Sequence, residues 1–411
     1  MPTGVVTFSY KTVEDVAELQ RLKVQIKKLR EKLETATNDA EKIHLENELG
    51  RLKSRSSLIT KATTASRDVM TALNEYAPGQ TVVINEKNYI SRGITFKGAF
   101  NERTHSRFIY HCRKCGHTEY HSLMDKTNCP ECGETFRSII DSNNFRYTCA
   151  YEPIGFQTDQ NAAVTREENT RKQFYDIQPL LLEYRWSKAQ RFGLCEMVKS
   201  EKGARILFYN VGTGQGFAFC KKCGRADVET STGNGFDSLP NGVKRGHKNI
   251  NGGPCEASGE KDFYRHVVFT GYHPTCYTVL RFKSGIGAMG YVDDEQLAFS
   301  LGVILCRALS KGLGVDENEI NFGIKQERDA WVMYIYDTAK GGCGYSWRLA
   351  DPEVAKKVFK IALEELNAAP CNCHKDGGAC ARCLVDRKNY MRSYLLSKSK
   401  ALDWLKLQSE M

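Results

Sequence analysis

The first sixty residues carry apolar side chains at the spacing of an amphipathic helix. Between residues 13 and 33 they recur every three or four positions, at Val16, Leu19, Leu22, Ile26, Leu29 and Leu33. Asn38 followed by Glu41 resembles a capping box, so a second helix is expected to begin there. The apolar stripe of that helix consists of Leu45, Leu49, Leu52 and Ile59. The pattern predicts an antiparallel, coiled-coil-like helical hairpin that closes around residues 37–39.

The periodicity changes at Pro78-Gly79. Two β-like runs, Thr81–Ile84 and residues 89–92, flank a polar stretch at residues 85–87 and predict a β-hairpin. Residues 205–209 predict a further strand, whereas the polar residues 158–172 are expected to form a linker or an exposed loop. Helical spacing returns towards the C-terminus and predicts helices over residues 295–310, 352–368 and 393–407.

Length and composition restrict the class of protein. A chain of 411 residues exceeds the size at which a single core stops growing, about 250–300 residues, so two to four domains are expected. A hydrophobic content of 41% excludes wholesale disorder. The sequence shows no run of about 18 apolar residues, and its first residues lack the pattern of a secretory signal. We therefore expect a cytoplasmic protein without a membrane partner, in which paired cysteines are metal ligands rather than disulfides.

Eight of the 16 cysteines form two compact sets of four. The first set consists of two CxxC pairs, each followed by glycine, at Cys112, Cys115, Cys129 and Cys132. A CxxC turn presents two thiolates from one tight loop, and two such knuckles form a zinc ribbon. The second set consists of Cys371, Cys373, Cys380 and Cys383. Four-sulfur zinc is the prediction for it, and an iron–sulfur cluster is the alternative that the spacing leaves open.

A third CxxC pair, Cys220 and Cys223, has no second CxxC partner. His247 and Cys255 flank a glycine-containing loop that could fold back onto this knuckle, which predicts a Cys3His zinc site. His273 and Cys276 are the rival pair of ligands. Four-ligand sets of this kind are closed and structural, so three zinc ions that stabilise the fold are expected rather than a catalytic metal.

Together these patterns favour an α+β fold with an N-terminal antiparallel helical hairpin, a zinc ribbon with small β modules, and a C-terminal helical/β zinc-binding domain. The expected domains are residues 1–77 for the hairpin and 78–157 for the β-hairpin with the ribbon. Residues 158–269 are expected to form the second zinc module, and residues 270–411 the C-terminal domain.

Motifs typical of enzymes are weak in this sequence. The glycine-rich residues 212–216 lack the GK[ST] ending of a phosphate-binding loop. Asp293 and Asp294 look like an acidic metal pair, but one of them is expected to cap the following helix. Cys343 could be a nucleophile, although a buried thiol is the expectation for it, as for Cys149, Cys195, Cys276 and Cys306. The glycines around Cys343 predict a close backbone approach, to a phosphate or to the start of a helix. No catalytic residue is predicted.

Basic residues concentrate near the cysteine sets, within a net charge of +10. Basic zinc knuckles with aromatic neighbours are typical of proteins that bind phosphate backbones or stacked bases. The candidate DNA contacts are Arg185, Lys188, Arg191, Lys221, Lys222, Lys244, Arg245, Arg387 and Lys388.

The C-terminal third resembles the zinc-binding MZB domain. The resemblance rests on Tyr336-Asp337-Thr338, on Gly341-Gly342-Cys343-Gly344-Tyr345, and on the four cysteines that end at Cys383-Leu384. The domain occurs at the C-terminus of certain bacterial superfamily-2 helicases and in the B subunit of the DISARM anti-phage system. A weaker similarity includes the knuckle at residues 220–226 with His247 and Cys255, which resembles the middle zinc site of those proteins.

The resemblance implies a DNA-binding subunit that works with a separate superfamily-2 helicase, in anti-phage defence or DNA processing. We expect a non-catalytic accessory protein, because the ATPase lobes of such a helicase have no counterpart in this sequence. Two alternatives stay open: a protein-only assembly scaffold, and a cryptic nuclease in DNA processing or repair.

Overall fold

The computed structural model describes residues 5–10, 13–60, 63–96, 100–140, 145–158, 175, 177–182, 184–233, 235–250, 252–373 and 377–411. They form two compact units, each assembled from segments that are not contiguous in the chain. Unit 1 contains Met1–Asn101, Pro153–Asp176 and Val211–Val267, and unit 2 contains Glu102–Glu152, Ile177–Asn210 and Val268–Met411. Helices and strands occur in both units, so the predicted α+β class is confirmed.

The described residues form eight helices and eighteen strands. The helices are α1 (Val13–Thr35), α2 (Asp39–Thr60), α3 (Val69–Glu75), α4 (Glu102–His105), α5 (Glu295–Leu313), α6 (Tyr345–Arg348), α7 (Pro352–Ala368) and α8 (Lys398–Ser409). The first nine strands are β1 (Val5–Tyr10), β2 (Thr63–Asp68), β3 (Thr81–Ile84), β4 (Lys87–Thr95), β5 (Ser106–His111), β6 (Thr118–His121), β7 (Thr148–Tyr151), β8 (Gly155–Thr158) and β9 (Ile177–Leu180). The others are β10 (Gln190–Phe192), β11 (Cys195–Lys199), β12 (Arg205–Asn210), β13 (Phe217–Cys220), β14 (Ala226–Val228), β15 (Phe263–Pro274), β16 (Tyr277–Phe282), β17 (Ile320–Glu327) and β18 (Ala330–Asp337).

Helices α1 and α2 form the predicted hairpin. Leu29, Leu45 and Leu49 are buried between them, so the apolar stripes read from the sequence face each other. The side chain of Asn38 accepts a hydrogen bond of 3.0 Å from the amide of Ala40, which satisfies a free donor at the start of α2. Near the open end, Arg55 forms a salt bridge with Glu18, as expected for antiparallel helices.

Unit 1 is built around a five-stranded sheet in the order β2-β1-β8-β4-β3. Only β1 and β8 run parallel to each other within this sheet. The predicted β-hairpin is β3 and β4, and its turn residues Asn85 and Glu86 both have positive φ, 48° and 62°. Such a two-residue turn matches the twist of the flanking strands. Strand β13 pairs with β14 and with the first part of β15 in the same unit.

Unit 2 contains an antiparallel five-stranded sheet in the order β10-β11-β16-β18-β17. Helices α5, α7 and α8 bury their apolar faces in one core with residues of this sheet, among them Leu280, Ile304, Met333, Phe359 and Trp404. Gly302 of α5 allows close packing, because a Cβ there would lie 2.2 Å from the ring of Phe322. The remaining strands of this unit pair in the order β9-β12-β15-β7-β5-β6, through the second part of β15.

Helix α5 is the one described helix that is long and apolar enough to cross a membrane by length and composition. In its most apolar stretch of 18 residues, 67% of the residues are buried inside the protein, where α5 contributes to the core of unit 2. Asp294 caps its first turn, accepting from the amide of Leu297 at 3.0 Å, and Gly314 ends it with φ 72°. The capping role predicted for the Asp293-Asp294 pair therefore belongs to Asp294.

Some predicted boundaries differ from those of the structure. The helix expected over residues 393–407 begins later, as α8, because the hydroxyl of Ser397 caps it by accepting from the amide of Lys400. From residue 159 onward, the stretch predicted as a linker or exposed loop lies outside the described residues. The four consecutive sequence domains stay a prediction, and β15 contributes residues to both compact units.

Candidate metal centres

Three CxxC turns share one backbone geometry. In each, the glycine after the second cysteine has a left-handed φ: 71° at Gly116, 73° at Gly133 and 73° at Gly224. Its amide donates to the carbonyl of the first cysteine at 2.8–2.9 Å. This conformation favours glycine, and it turns the chain so that both thiols point to one side.

The first set lies in unit 2, where the knuckle of Cys112 and Cys115 joins β5 to β6. The Sγ atoms of Cys112 and Cys132 are 3.4 Å apart, and those of Cys115 and Cys129 are 3.5 Å apart. The ligand atoms of this set all lie within 4.8 Å of one another. A tetrahedral zinc with bonds of about 2.3 Å places its sulfur ligands about 3.8 Å apart, so the four thiols fit one ion.

The first knuckle is anchored on the hairpin of β17 and β18. The amide of Arg328, at the tip of that hairpin, donates to the carbonyl of Cys115 at 2.8 Å. Arg328 also forms an ion pair of 3.2 Å with Glu131 of the second knuckle. A Cβ on Gly116 would lie 1.6 Å from the carbonyl oxygen of Gln326. The glycine is therefore required for the turn and also for this contact.

The middle set lies in unit 1, at the end of β13. The Sγ atoms of Cys220 and Cys255 are 3.7 Å apart, and Cys223 Sγ is 3.3 Å from Nε2 of His247. The other ring nitrogen of His247 is 2.9 Å from the carbonyl of Lys244, so Nδ1 carries the proton and Nε2 faces the thiols. The rival ligand His273 is instead bonded through Nε2 to the carbonyl of Thr338 at 3.0 Å.

The thiols of Cys220 and Cys223 in the middle set differ in pKa. Hydrogen bonding from Cys223 lowers the pKa of Cys220 to about 4. The same hydrogen bond, together with burial, raises the pKa of Cys223. A metal ion that binds here must displace the remaining protons, so its affinity depends on pH.

The C-terminal set follows α7 in unit 2, and residues 374–376 within its span lie outside the described residues. The ligand atoms of Cys371, Cys373, Cys380 and Cys383 lie within 4.8 Å of one another. The backbone amide of Cys380 donates to Cys383 Sγ at 3.2 Å, and the ammonium of buried Lys398 lies 3.6 Å from Cys371 Sγ. These donors stabilise thiolates, the form that binds metal.

Arg307 of α5 supports this set, a role that its place in the sequence does not indicate. Its guanidinium donates to the carbonyl of Cys383 at 2.7 Å and to the carboxylate of Glu365 in α7 at 3.0 Å. One side chain thus joins two helices to the cysteine loop. Arg307 lies in an apolar helix and Glu365 in another helix, so the spacing of residues along the sequence does not reveal this contact.

The candidate DNA contacts fall into different environments. Lys188 pairs with Glu201 at 3.0 Å, and Arg191 pairs with Glu196 at 2.8 Å. Near the middle set, Lys221 lies over the ring of Tyr264 at 4.6 Å. Exposed at or near that set are Lys222, Lys244, Arg245 and Lys248, while Arg185, Arg387 and Lys388 are exposed in unit 2.

The candidate enzyme residues have structural contacts. Asp294 forms an ion pair with Lys400 at 2.6 Å besides capping α5. Cys343 is exposed, so the expectation of a buried thiol there was wrong; Cys195 and Cys276 are buried, and Cys149 and Cys306 are partly buried. The exposure of Cys343 follows from its place in the turn that leads into α6.

Asp337 organises the glycine-rich turn around Cys343. Its buried carboxylate accepts hydrogen bonds from four successive backbone amides, at 2.7, 2.5, 3.1 and 2.8 Å, which belong to Cys343, Gly344, Tyr345 and Ser346. The close backbone approach predicted for these glycines is to the segment of Cys276, since a Cβ on Gly342 would lie 2.5 Å from the backbone nitrogen of Cys276, and not to a neighbouring helix start. The amides of this turn bind a carboxylate from the chain itself.

Comparison with known proteins agrees with these observations. Residues 301–384 match the family model described as MrfA Zn-binding domain, MZB. The chain is 24% identical over 358 residues to the Druantia protein DruE of Escherichia coli strain UMEA 4076-1, an alignment that covers 77% of this chain and 18% of DruE.

A crystal structure of the DUF1998 helicase MrfA bound to DNA aligns with a TM-score of 0.38 at 12% identity, over 85% of this chain and 33% of that one. The chain therefore spans less than a fifth of the curated relative and a third of the solved one.

The MZB match and the three ligand sets confirm the prediction of zinc, with three ions per chain expected. At the C-terminal set the match favours zinc over the iron–sulfur alternative. Closed sets of four sulfur or nitrogen ligands give zinc a folding role. The resemblance to the MZB domain is confirmed over residues 301–384, the part of this chain that matches its family model.

Proposed function

We propose that this chain is a non-catalytic zinc-binding subunit that binds DNA and works with a separate superfamily-2 helicase in anti-phage defence in the cytoplasm. The similarity to the Druantia protein DruE and the MZB region support a role related to defence and DNA. The predicted likeness to the DISARM B subunit belongs to the same proposal. The chain spans only 18% of DruE, so the similarity does not extend to the whole of that protein. The helicase partner and the non-catalytic role are therefore part of our proposal.

The observation that carries the DNA proposal is the exposed basic turn beside the middle set. Lys244 and Arg245 lie on a turn whose backbone is closed by a 3.0 Å hydrogen bond from the amide of His247 to the carbonyl of Lys244. The ring of His247 bonds to the same carbonyl and faces Cys223. The metal ligand therefore fixes the backbone that carries two exposed cations, and cations presented in this way bind the phosphate backbone of DNA.

A charge-reversal experiment tests this proposal. The zinc-loaded full chain is titrated against labelled single-stranded and duplex DNA by fluorescence anisotropy at two salt concentrations. Lys244→Glu with Arg245→Glu should weaken binding at least about tenfold, whereas Lys356→Glu with Lys360→Glu, on the exposed face of α7, changes the net charge equally and should have little effect. Zinc content is measured for each variant.

The outcomes separate the alternatives. Equal losses of DNA affinity in both double variants would show that binding depends only on net charge, and would contradict a defined DNA site at the basic turn. Failure of the wild-type chain to bind either DNA would reject the DNA proposal and favour the protein-only scaffold. Binding that is lost together with zinc in the Lys244 and Arg245 variant would require the milder Lys244→Gln with Arg245→Gln pair.

A further inference from the structure

Three large apolar side chains are exposed in one short segment after the C-terminal set. Tyr390, Met391 and Tyr394 are 70%, 71% and 70% exposed, and they lie in the 3-10 helix Tyr390–Leu395. Large apolar side chains exposed so close together along the chain indicate a binding surface, because solvent contact of so much apolar area is unfavourable. We refer to these three residues as the tyrosine patch.

The backbone on both sides of the tyrosine patch is fixed. Before it, buried Asn389 donates to the carbonyl of Leu384 at 2.8 Å and accepts from the amide of Asp386 at 2.8 Å. Within it, the carbonyl of Tyr394 accepts from the side chain of Gln296 in α5 at 3.0 Å. After it, the amide of Ser397 donates to Ser300 Oγ at 2.8 Å. The exposed rings therefore sit on a rigid base, which reduces the entropy cost of binding.

The charge around the tyrosine patch selects the class of partner. Residues 382–400 contain six Lys or Arg residues and one acidic residue, Asp386. Of the six cations, Lys398 is buried and Lys400 pairs with Asp294. The exposed cations of the segment are Arg382, Arg387 and Lys388. Arg387 and Lys388 precede Tyr390 by three and two positions and are exposed. The ammonium of Lys388 donates one hydrogen bond of 2.9 Å to the carbonyl of Glu317, which leaves two of its N–H groups for a phosphate. Aromatic rings beside cations are the arrangement with which proteins bind single strands: bases stack on the rings while the backbone phosphates meet the positive charges. A duplex keeps its base faces stacked internally, so it does not offer them to such rings.

We propose that the tyrosine patch is a stacking site for single-stranded nucleic acid, with bases on Tyr390 and Tyr394 and phosphates beside Arg387 and Lys388. The site rests on the proposed function, because it names the strand form that this chain holds. It also assigns a role to the segment that the C-terminal zinc set positions. A zinc-binding region next to a single-strand site would hold the strand that a helicase exposes.

The test compares an intact oligonucleotide with one whose central nucleotides are abasic, using the zinc-loaded full chain and fluorescence anisotropy. Stacking contributes about 1–3 kcal/mol per base, which corresponds to a factor of at least about five in affinity. The wild-type chain should therefore prefer the intact strand by at least fivefold. Tyr390→Ala with Tyr394→Ala should lose that preference, and Tyr390→Phe with Tyr394→Phe, which keeps the rings, should retain it.

The readouts distinguish failure of this site from failure of the proposed function. If the wild type binds DNA but intact and abasic strands bind equally, or if the alanine variant keeps the preference, the stacking site is wrong while DNA binding stands. If DNA binding is normal in the alanine variant and only a protein partner is lost, the patch is a protein-docking surface and the inference is overturned. If the wild type binds no DNA, the proposed function itself fails. Unchanged zinc content and melting temperature show that the variants are folded.

Discussion

The backbone amide of Arg328 donates a 2.8 Å hydrogen bond to the carbonyl of Cys115. This bond connects a zinc knuckle to the tip of the β17–β18 hairpin, in residues more than two hundred positions apart. Arg328 adopts a left-handed φ of 54°, a conformation that non-glycine residues rarely hold without support. The knuckle and the hairpin therefore stabilise each other's turns.

Alanine substitutions at the two ribbon glycines should distinguish two contributions to the free energy of unfolding: the strain of a left-handed φ, and the steric clash with a neighbouring residue. Gly116 and Gly133 have nearly the same φ, 71° and 73°, but only at Gly116 would a Cβ meet Gln326, whereas at Gly133 nothing lies within 4 Å. Gly133→Ala should cost about 1–2 kcal/mol of the free energy of unfolding, from the left-handed conformation alone. Gly116→Ala should cost clearly more, because the hairpin must move.

Chemical denaturation with measurement of bound zinc checks this pair. Equal costs for the two substitutions would show that the contact with Gln326 contributes nothing to stability.

Local sequence patterns predicted the parts of the fold that depend on near neighbours. The hairpin stripe, a turn within residues 85–87, the glycines of the knuckles and a cap of α5 from the Asp293-Asp294 pair all follow from spacings of a few residues, and the structure confirms them. The grouping of Cys220, Cys223, His247 and Cys255 also came from spacing within about 35 residues.

Contacts between distant segments could not be predicted in this way. The order of strands that places β8 beside β1, and the division of β15 between two units, depend on packing across more than a hundred residues. Arg307 was not assigned its role for the same reason, because its contact with the carbonyl of Cys383 joins two separate segments. Asp337 belongs to the motif that resembles the MZB domain, but its hydrogen bonds to the amides of residues 343–346 follow from the local backbone conformation and were not predicted.

Removing the guanidinium of Arg307 should weaken the C-terminal zinc site selectively. Arg307→Leu keeps the apolar stem but removes the donors to Cys383 and Glu365, which should cost about 2 kcal/mol of unfolding free energy. Loss of support behind a ligand lowers metal affinity about 10–100-fold. Competition with a chelator should therefore release one zinc early, while Arg348→Leu, at an exposed position of the same unit, should leave all three in place. Simultaneous release of all three would contradict a local role for Arg307.

Neutralising Asp337 should loosen the turn around Cys343. Asp337→Asn removes the negative charge and replaces one acceptor oxygen by an amide donor, so all four amides from Cys343 to Ser346 lose a charged partner. We expect a loss of about 2–3 kcal/mol and faster hydrogen exchange of residues 343–346. Exposed Asp329→Asn serves as the control, with exchange expected to remain unchanged. Protection of residues 343–346 that survives in Asp337→Asn would mean that the turn does not depend on this carboxylate.

Loss of one ligand of the middle set should reduce the zinc content from three ions to two. Cys255→Ser leaves Cys220, Cys223 and His247 with an incomplete set, and structural zinc contributes about 10 kcal/mol or more of apparent folding free energy. Because all four ligands belong to unit 1, hydrogen exchange should accelerate first around β13, β14 and the turn that carries Lys244 and Arg245. Elemental analysis gives the zinc content, and Cys343→Ser, an exposed cysteine outside the three sets, should retain three ions. Three ions in Cys255→Ser would instead remove Cys255 from the ligand set, and the basic turn would then lose its link to the metal.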